Sequence, residues 1–518
     1  MRGYPNVYRV LQRLKRNRND QQKPAKPSIS FTISLDENKN ILKQQLGDSP
    51  DVMFRTMSIP MVNRGTQAAL LLSIDGIIDD EAIREHVIEP LLKKPEDSQG
   101  NRLKERITIN EWKEEENVYQ AVEQVLKGNT LLLTEGSNKA LLINASKFEV
   151  RSIDEPQAEQ AIRGARDGFV ESTAVNISLL RQRISHPSLR FQTIVVGEIS
   201  RTTITLAYMN DIVDTQLLNR VRERIKEVKV DSLKSSGELE QYIEDHPYTM
   251  FPTIGNTARP DKAAALLMEG RILVLINGTP ICLFIPHLFI ENMQNVEDYN
   301  SRPYYVSFIR LLRFLSFIIS TTFPAIYIAA LNFHKETIPS DMIVPIVQAR
   351  ELVPFPLAME VILSIIMFEV VREAGIRLPQ QVGSALSIVG ALILGEVAVS
   401  AGLFGAPTVI VVSIAYIASF VINPIADVTA LLRVFFFAAS SLFGAYGLFV
   451  AMLGLLTHMV SLTSVGVPYM APFAPVYFRD WEDALIRLPL RWIKHRPRSV
   501  PHRRDEKITA LPKTGGKE

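Results

Sequence analysis

Charge is distributed too unevenly along this chain for a single environment. Between Ser301 and Phe478 only 16 of 178 residues are Asp, Glu, Lys or Arg, whereas the 518-residue chain as a whole is 22% charged, with 57 Lys+Arg against 55 Asp+Glu. A soluble protein needs charge along all of its surface, so this pattern excludes a purely soluble protein and splits the chain into a polar front and an apolar back. Five apolar stretches follow Tyr304, at about 305–331, 357–371, 382–403, 408–422 and 434–457. Crossing the hydrocarbon of a bilayer takes about 20 helical residues, so the first, third and fifth are long enough. The second and fourth are short. Residues 434–478 carry no charge, but Pro468, Pro472 and Pro475 break the last part, which reads as a re-entrant or interfacial segment.

Sidedness follows from the basic residues. Arg310 and Arg313 stand at the start of the first stretch, and residues 479–504 hold eight Lys/Arg against three acids, which puts both termini in the cytoplasm. Equal sidedness requires an even number of crossings. Either one of the five stretches does not cross, or the Pro-broken segment supplies a sixth. Leu357–Val371 is the expected non-crossing stretch, because it is short, carries Glu360 and Glu369, and follows the rigid Pro354-Phe355-Pro356. Residues 304–478 thus read as a membrane domain of four to six segments, and 479–518 as a basic cytoplasmic tail.

In the front half, residues 1–30 contain eight Lys/Arg and one acid, so 1–54 read as a basic, disordered arm that is either solvated or docked on anionic lipid. Residues 55–165 and 190–292 read as two copies of one subdomain. Asp75-Gly76-Ile77-Ile78-Asp79 recurs as Asn210-Asp211-Ile212-Val213-Asp214, and Gly128 to Leu133 recurs as Gly270 to Leu275, in the same order. Apolar runs bounded by Gly and Asn are buried strands of a covered sheet, with Gly136 and Gly278 as hairpin turns. The fold class is therefore a duplicated cytoplasmic α/β domain followed by an α-helical polytopic membrane domain. Between the copies, 166–189 read as a helical linker whose Arg181 and Arg183 make a positive surface.

Catalytic signals are missing. One cysteine, Cys282, excludes an internal disulfide, the eight histidines are dispersed, and there is neither a phosphate loop nor a nucleophile beside a base. No enzyme activity, metal or cofactor is expected, and no aromatic or basic groove points to nucleic acid.

The stretch 382–403 is the most informative part of the apolar half. Small residues recur at helical spacing, with Ser387, Ala391, Gly395 and Gly402 as the expected helix-packing face. About 100° away lie Leu392, Glu396, Val399 and Ser400. A carboxylate within a membrane helix costs about 2.5–3.5 kcal/mol on insertion scales and is retained facing protein or water. Glu396 has two readings, part of an ion path with Leu392, Val399 and Ser400 lining it, or a packing group bonded to another helix. Asp427 and Arg433 have the same two.

The chain resembles the A subunits of the GerA-type spore germination receptors. The resemblance rests on Asp75-Gly76-Ile77-Ile78-Asp79, Asn176-Ile177 through His186-Pro187, Pro354-Phe355-Pro356 with Glu360, Glu373 through Pro379, Gly383 through Gly390, and Ala418-Ser419-Phe420 with Asn423-Pro424. It implies an integral protein of the spore inner membrane that senses nutrient germinants with a transporter-like B subunit and a lipoprotein C subunit, contacts membrane lipid, and forms a homo-oligomeric, germinant-gated ion channel for cations. The alternatives are a non-conducting signalling scaffold of the germination complex or a related paralogue acting downstream of the receptors.

Overall fold

The computed structural model describes residues 29–61, 65–94, 103–109, 111–147, 159, 164–377 and 395–507. Its polar half contains two five-stranded sheets of the same topology. The first comprises β1 (Val52–Met61), β2 (Gly65–Ile74), β3 (Trp112–Glu115), β4 (Asn129–Thr134) and β5 (Ala140–Asn144), in the order β1-β2-β4-β5-β3. The second comprises β6 (Leu189–Val196), β7 (Thr202–Met209), β8 (Gly255–Thr257), β9 (Ile272–Ile276) and β10 (Cys282–Ile285), in the order β6-β7-β9-β10-β8. All neighbouring strands are antiparallel. Two hairpins per sheet enforce this direction, with Gly136 (φ 82°) and Gly278 (φ 94°) turning the second of each. The landmark acids have one job in both copies: Asp79 and Asp214 accept from the amides of Ala82 and Leu217 and cap the next helix.

The repeat starts earlier than the strands. A helix precedes each first strand, α1 (Leu35–Leu46) and α2 (Thr173–Arg183). Buried Asn38 accepts from the Thr32 amide and donates to the Thr32 carbonyl, at 2.8 and 2.7 Å. Buried Asn176 does the same to Val170, at 2.9 and 2.6 Å. The end of the expected arm and the expected linker are thus the same element of two units. α1 was obscured because its polar sequence buries only Leu35, Asn38, Leu42 and Leu46. Residues 1–28 lie outside the described residues.

Arg181 and Arg183 do not form a positive surface. Arg181 is fully buried and donates to Asp51 at 2.7 and 3.3 Å, and Arg183 pairs with Asp167. Arg190 caps the end of α1 through the Gln45 and Leu46 carbonyls, so three contacts, counting Ser49 Oγ with the Phe191 amide, join the units.

The basic C-terminal segment is docked rather than free. In the first unit Ile78 bridges to Ser146 and the Lys147 amide donates to the Ile77 carbonyl. In the second, the chain leaves after β10 for the apolar half, and the equivalent places are filled from the C-terminal side: Val213 bridges to His502 and the Arg503 amide donates to the Ile212 carbonyl.

The apolar half is a helical bundle. α3 (Pro303–Asn332), α4 (Leu357–Arg377), α5 (Ala406–Phe420) and α6 (Ala426–Ser461) pack together, and two of them, α3 and α6, are long and apolar enough to cross a membrane. α4 is 21 residues, about 31 Å, rather than the short stretch expected. α6 is not one rod. It reverses at Gly444 (φ 60°, ψ −143°), where Phe333 at the far end of α3 closes over the glycine. Residues 426–443 climb beside α3, marked by Arg433 on the Ser320 carbonyl and Ser440 on the Ala325 carbonyl. Residues 445–461 return to the second unit, where His458 meets Thr249. Gly447 packs on the Ala439 carbonyl across this turn, and a Cβ there would stand 2.8 Å from Phe443 Cβ. The fifth apolar stretch therefore contributes two antiparallel helices.

The Pro-broken stretch is not inserted among these helices. It forms the short hairpin Thr463–Ser464 with Val467–Pro468 on the second unit, held by Asp245, which accepts from Thr463 and from the Gly466 amide. Ser464 Oγ accepts from the His287 amide at 3.0 Å, and fully buried Tyr469 accepts from the Phe289 amide at 2.9 Å.

Candidate functional site

Charged groups inside the bundle fall into two buried clusters and one exception. α4 carries an acid near each end. Glu360 is fully buried, accepts from Arg350 Nε at 2.9 Å, and receives the Gly405 amide at 2.8 Å, where α5 begins. A carboxylate at a helix N-terminus satisfies an orphan amide and opposes the helix dipole. Glu369, nine residues and about 13 Å further along the helix, accepts from Arg372 at 2.8 Å and from Arg433 at 2.9 Å.

Arg433 is the hub of the second cluster. It has no exposed surface, and its Nε donates to the Ser320 carbonyl of α3 at 2.8 Å, while the Ala415 carbonyl of α5 lies 3.4 Å away. One guanidinium therefore touches all four helices, with Arg372 extending the chain to exposed Asp427 at 3.1 Å. Truncating one member of a buried pair costs about 3–5 kcal/mol, because the remaining charge is left unpaired in an apolar interior. Arg433 is a packing group. Sequence reasoning left its role open, although opposite charges on separate apolar stretches, Glu369 and Arg433, are the signal that would have paired them.

Glu396 is different. Among described acids from 357 to 433, Glu360, Glu369, Glu373 and Asp427 all have arginine partners, whereas the exposed Glu396 side chain makes no ion pair among the described residues. Its neighbours divide by face. Gly395 and Ala398 are buried, Gly395 against α5 with Val409 Cγ1 3.3 Å from where a Cβ would be. Glu396, Val397 and Ser400 are exposed, and Val399 is half-buried. Gly402 (φ 67°) ends the helix beside Leu352. Of the expected packing and lining residues, Ser387, Ala391 and Leu392 lie outside the described residues. No group of three or more His, Cys, Asp or Glu among the described residues is placed to hold a metal.

The sequence model of the Bacillus/Clostridium GerA spore germination proteins matches residues 40–499. Spore germination protein KA of Bacillus subtilis (strain 168) is 39% identical over 487 residues, covering 93% of this chain and 89% of that protein. Spore germination protein GerLA of Bacillus cereus is 33% identical over 463 residues, 88% and 93% of the two chains, and the uncharacterized membrane protein YfkQ of Bacillus subtilis is 33% identical over 494 residues, 94% of each. The crystal structure of the N-terminal domain of the A subunit of the Bacillus megaterium spore germinant receptor GerK3 shares 30% identity, covers 51% of this chain and 99% of that one, and gives a TM-score of 0.41. This chain belongs to the Bacillus/Clostridium GerA spore germination protein family.

Proposed function

We propose that this chain is the A subunit of a nutrient germinant receptor in the spore inner membrane, assembled with B and C subunits, and that several copies surround a germinant-gated cation path lined by the face of residues 392–400 that bears Glu396. Both termini face the cytoplasm in this reading. The observation that Glu396 makes no ion pair among the described residues carries the proposal. An intramembrane carboxylate without a partner in its own subunit needs water, a cation or another subunit to offset its desolvation. Gly395 packs on α5 and Ala398 is buried, whereas Glu396 between them is exposed, so its carboxylate is free to face away from its own bundle. Carboxylate oxygens beside an apolar constriction are a common way to select cations and gate by dewetting, and half-buried Val399 supplies the apolar element. Glu396→Gln should lower potassium release per assembled complex in germinating spores, and Val399→Ala should produce leak without germinant. Normal release per complex in both variants, with less complex assembled, would favour the scaffold instead.

A further inference from the structure

The segment between the last bundle helix and the docked C-terminal strand carries apolar residues that are exposed among the described residues. Phe478, Trp481, Ile486, Leu490 and Trp492 are all exposed, Trp492 by 64%. Its position is fixed by hydrogen bonds to the start of α3. Ser307 Oγ accepts from the Arg487 amide at 3.0 Å, buried Arg487 donates to the Ser301 carbonyl at 2.9 Å, and buried Arg310 donates to the Ala484 carbonyl at 2.9 Å. The first turns of α3 expose Tyr304, Tyr305 and Phe308, which extend the same apolar surface.

Depth and charge indicate the occupant. The 30 residues of α3 span about 45 Å and exceed a hydrocarbon core of about 30 Å by about ten residues, so its first turns fall at headgroup level. Trp and Tyr concentrate at that level because their rings prefer one apolar and one wet side. Exposed Arg302, Arg491 and Lys494 have no ion pair among the described residues; of the nearby acids Asp298 and Asp483 pair with Arg310 and Asp480 accepts from the amides of Arg498 and Ser499, which leaves half-buried Glu482 against three cations. The patch is therefore apolar, aromatic and net basic.

From this geometry we infer that residues 478–494, with the first turns of α3, form a collar that lies in the anionic cytoplasmic leaflet, Trp481, Ile486, Leu490 and Trp492 seated among the lipid carbonyls and Arg491 and Lys494 on headgroup phosphates. The inference rests on the membrane reading proposed above. Basic residues at such a surface add attraction that grows with anionic lipid content, and apolar side chains bury about 5–10 Å into the headgroup boundary.

The chain has three tryptophans, Trp112, Trp481 and Trp492, and Trp112 lies on β3 of the first unit. The full chain is reconstituted in phosphatidylcholine bilayers, with or without phosphatidylglycerol, containing lipid brominated near the glycerol end of its acyl chains. Single-tryptophan forms come from Phe replacements, and a tryptophan-free form with Phe435→Trp, an exposed position on α6, reports the bilayer interior. Bromolipid should quench Trp481 and Trp492 at least twofold, leave Trp112 unchanged, and quench more with phosphatidylglycerol present. Arg491→Gln with Lys494→Gln should remove that dependence. Quenching at Phe435→Trp with none at Trp481 or Trp492 overturns the collar alone, including the case in which another subunit covers it. Escape of Phe435→Trp as well overturns the membrane reading and the collar together.

Discussion

Of the three contacts that join the two front units, the buried ion pair between Asp51 and Arg181 is the one whose removal has a calculable effect. Asp51 and Arg181 are 3% and 0% exposed, and the guanidinium donates twice to the one carboxylate, at 2.7 and 3.3 Å. Asp51→Leu leaves a guanidinium buried without its counter-charge, and Arg181→Met leaves the carboxylate in the same position. Each should cost about 3–5 kcal/mol, whereas the double replacement puts apolar groups of similar bulk on both sides and should cost far less than the sum of about 6–10 kcal/mol. Urea unfolding of the detergent-solubilised chain tests this, followed by Trp112 fluorescence in a background with Trp481→Phe and Trp492→Phe. At about 2–3 kcal/mol per molar urea, a single replacement should lower the midpoint by about 1–2.5 M. Strict additivity, or single losses under about 1 kcal/mol, would refute the reasoning that this pair holds the units together.

Two further outcomes follow from local geometry. Gly447→Ala places a Cβ against the Ala439 carbonyl at the reversal of α6 and should destabilise the detergent-solubilised protein by about 1–3 kcal/mol, whereas Gly454→Ala, with open space around it, should be neutral or stabilising; equal melting shifts would contradict the reversal. Burial, reinforced by Glu244, raises Glu240 from 4.5 to about 7, so between those values the folded second unit holds a proton that the unfolded chain has released, and stability falls as pH rises through that window. Glu240→Gln should therefore match the parent near pH 4 and exceed it near pH 8 in thermal scans, and a parallel pH dependence in both proteins would dismiss this assignment.

How much of this was legible in the sequence depended on whether the signal was local. The strands were readable because Leu70-Leu71-Leu72 and Leu131-Leu132-Leu133 are buried without interruption, and Gly136 and Gly278 mark turns that require positive φ. The first helix of the first unit, and its equivalence to the expected helical linker, were missed because the shared signal is one asparagine, Asn38 or Asn176, that bonds across six residues. Helix reversal at Gly444 left no trace in hydropathy, since the residues on both sides are equally apolar. The apolar stretch 357–371 stops before Arg372, Glu373 and Arg377, whereas the helix α4 continues through them to Arg377, and Glu369 within it is neutralised by Arg433, 64 residues away. In the candidate site, the separation of the small-residue face from Glu396 was visible from helical spacing; that Glu396 makes no ion pair among the described residues was visible only once the arginine partners of Glu360, Glu369, Glu373 and Asp427 were known.

The central claim, that Glu396 faces a cation path, can be tested with the chain's own chemistry. Cys282 is the sole cysteine and is buried in β10, so an introduced thiol is read against a silent background. Glu396→Cys is treated with a membrane-impermeant, cationic thiol reagent in vesicles holding the assembled complex, and potassium efflux is measured before and after modification, with Ala398→Cys as the buried control. Rapid modification at 396, little at 398, and loss of efflux once a fixed positive charge is attached at 396 are the expected results. Complete modification at 396 with efflux unchanged would contradict the claim.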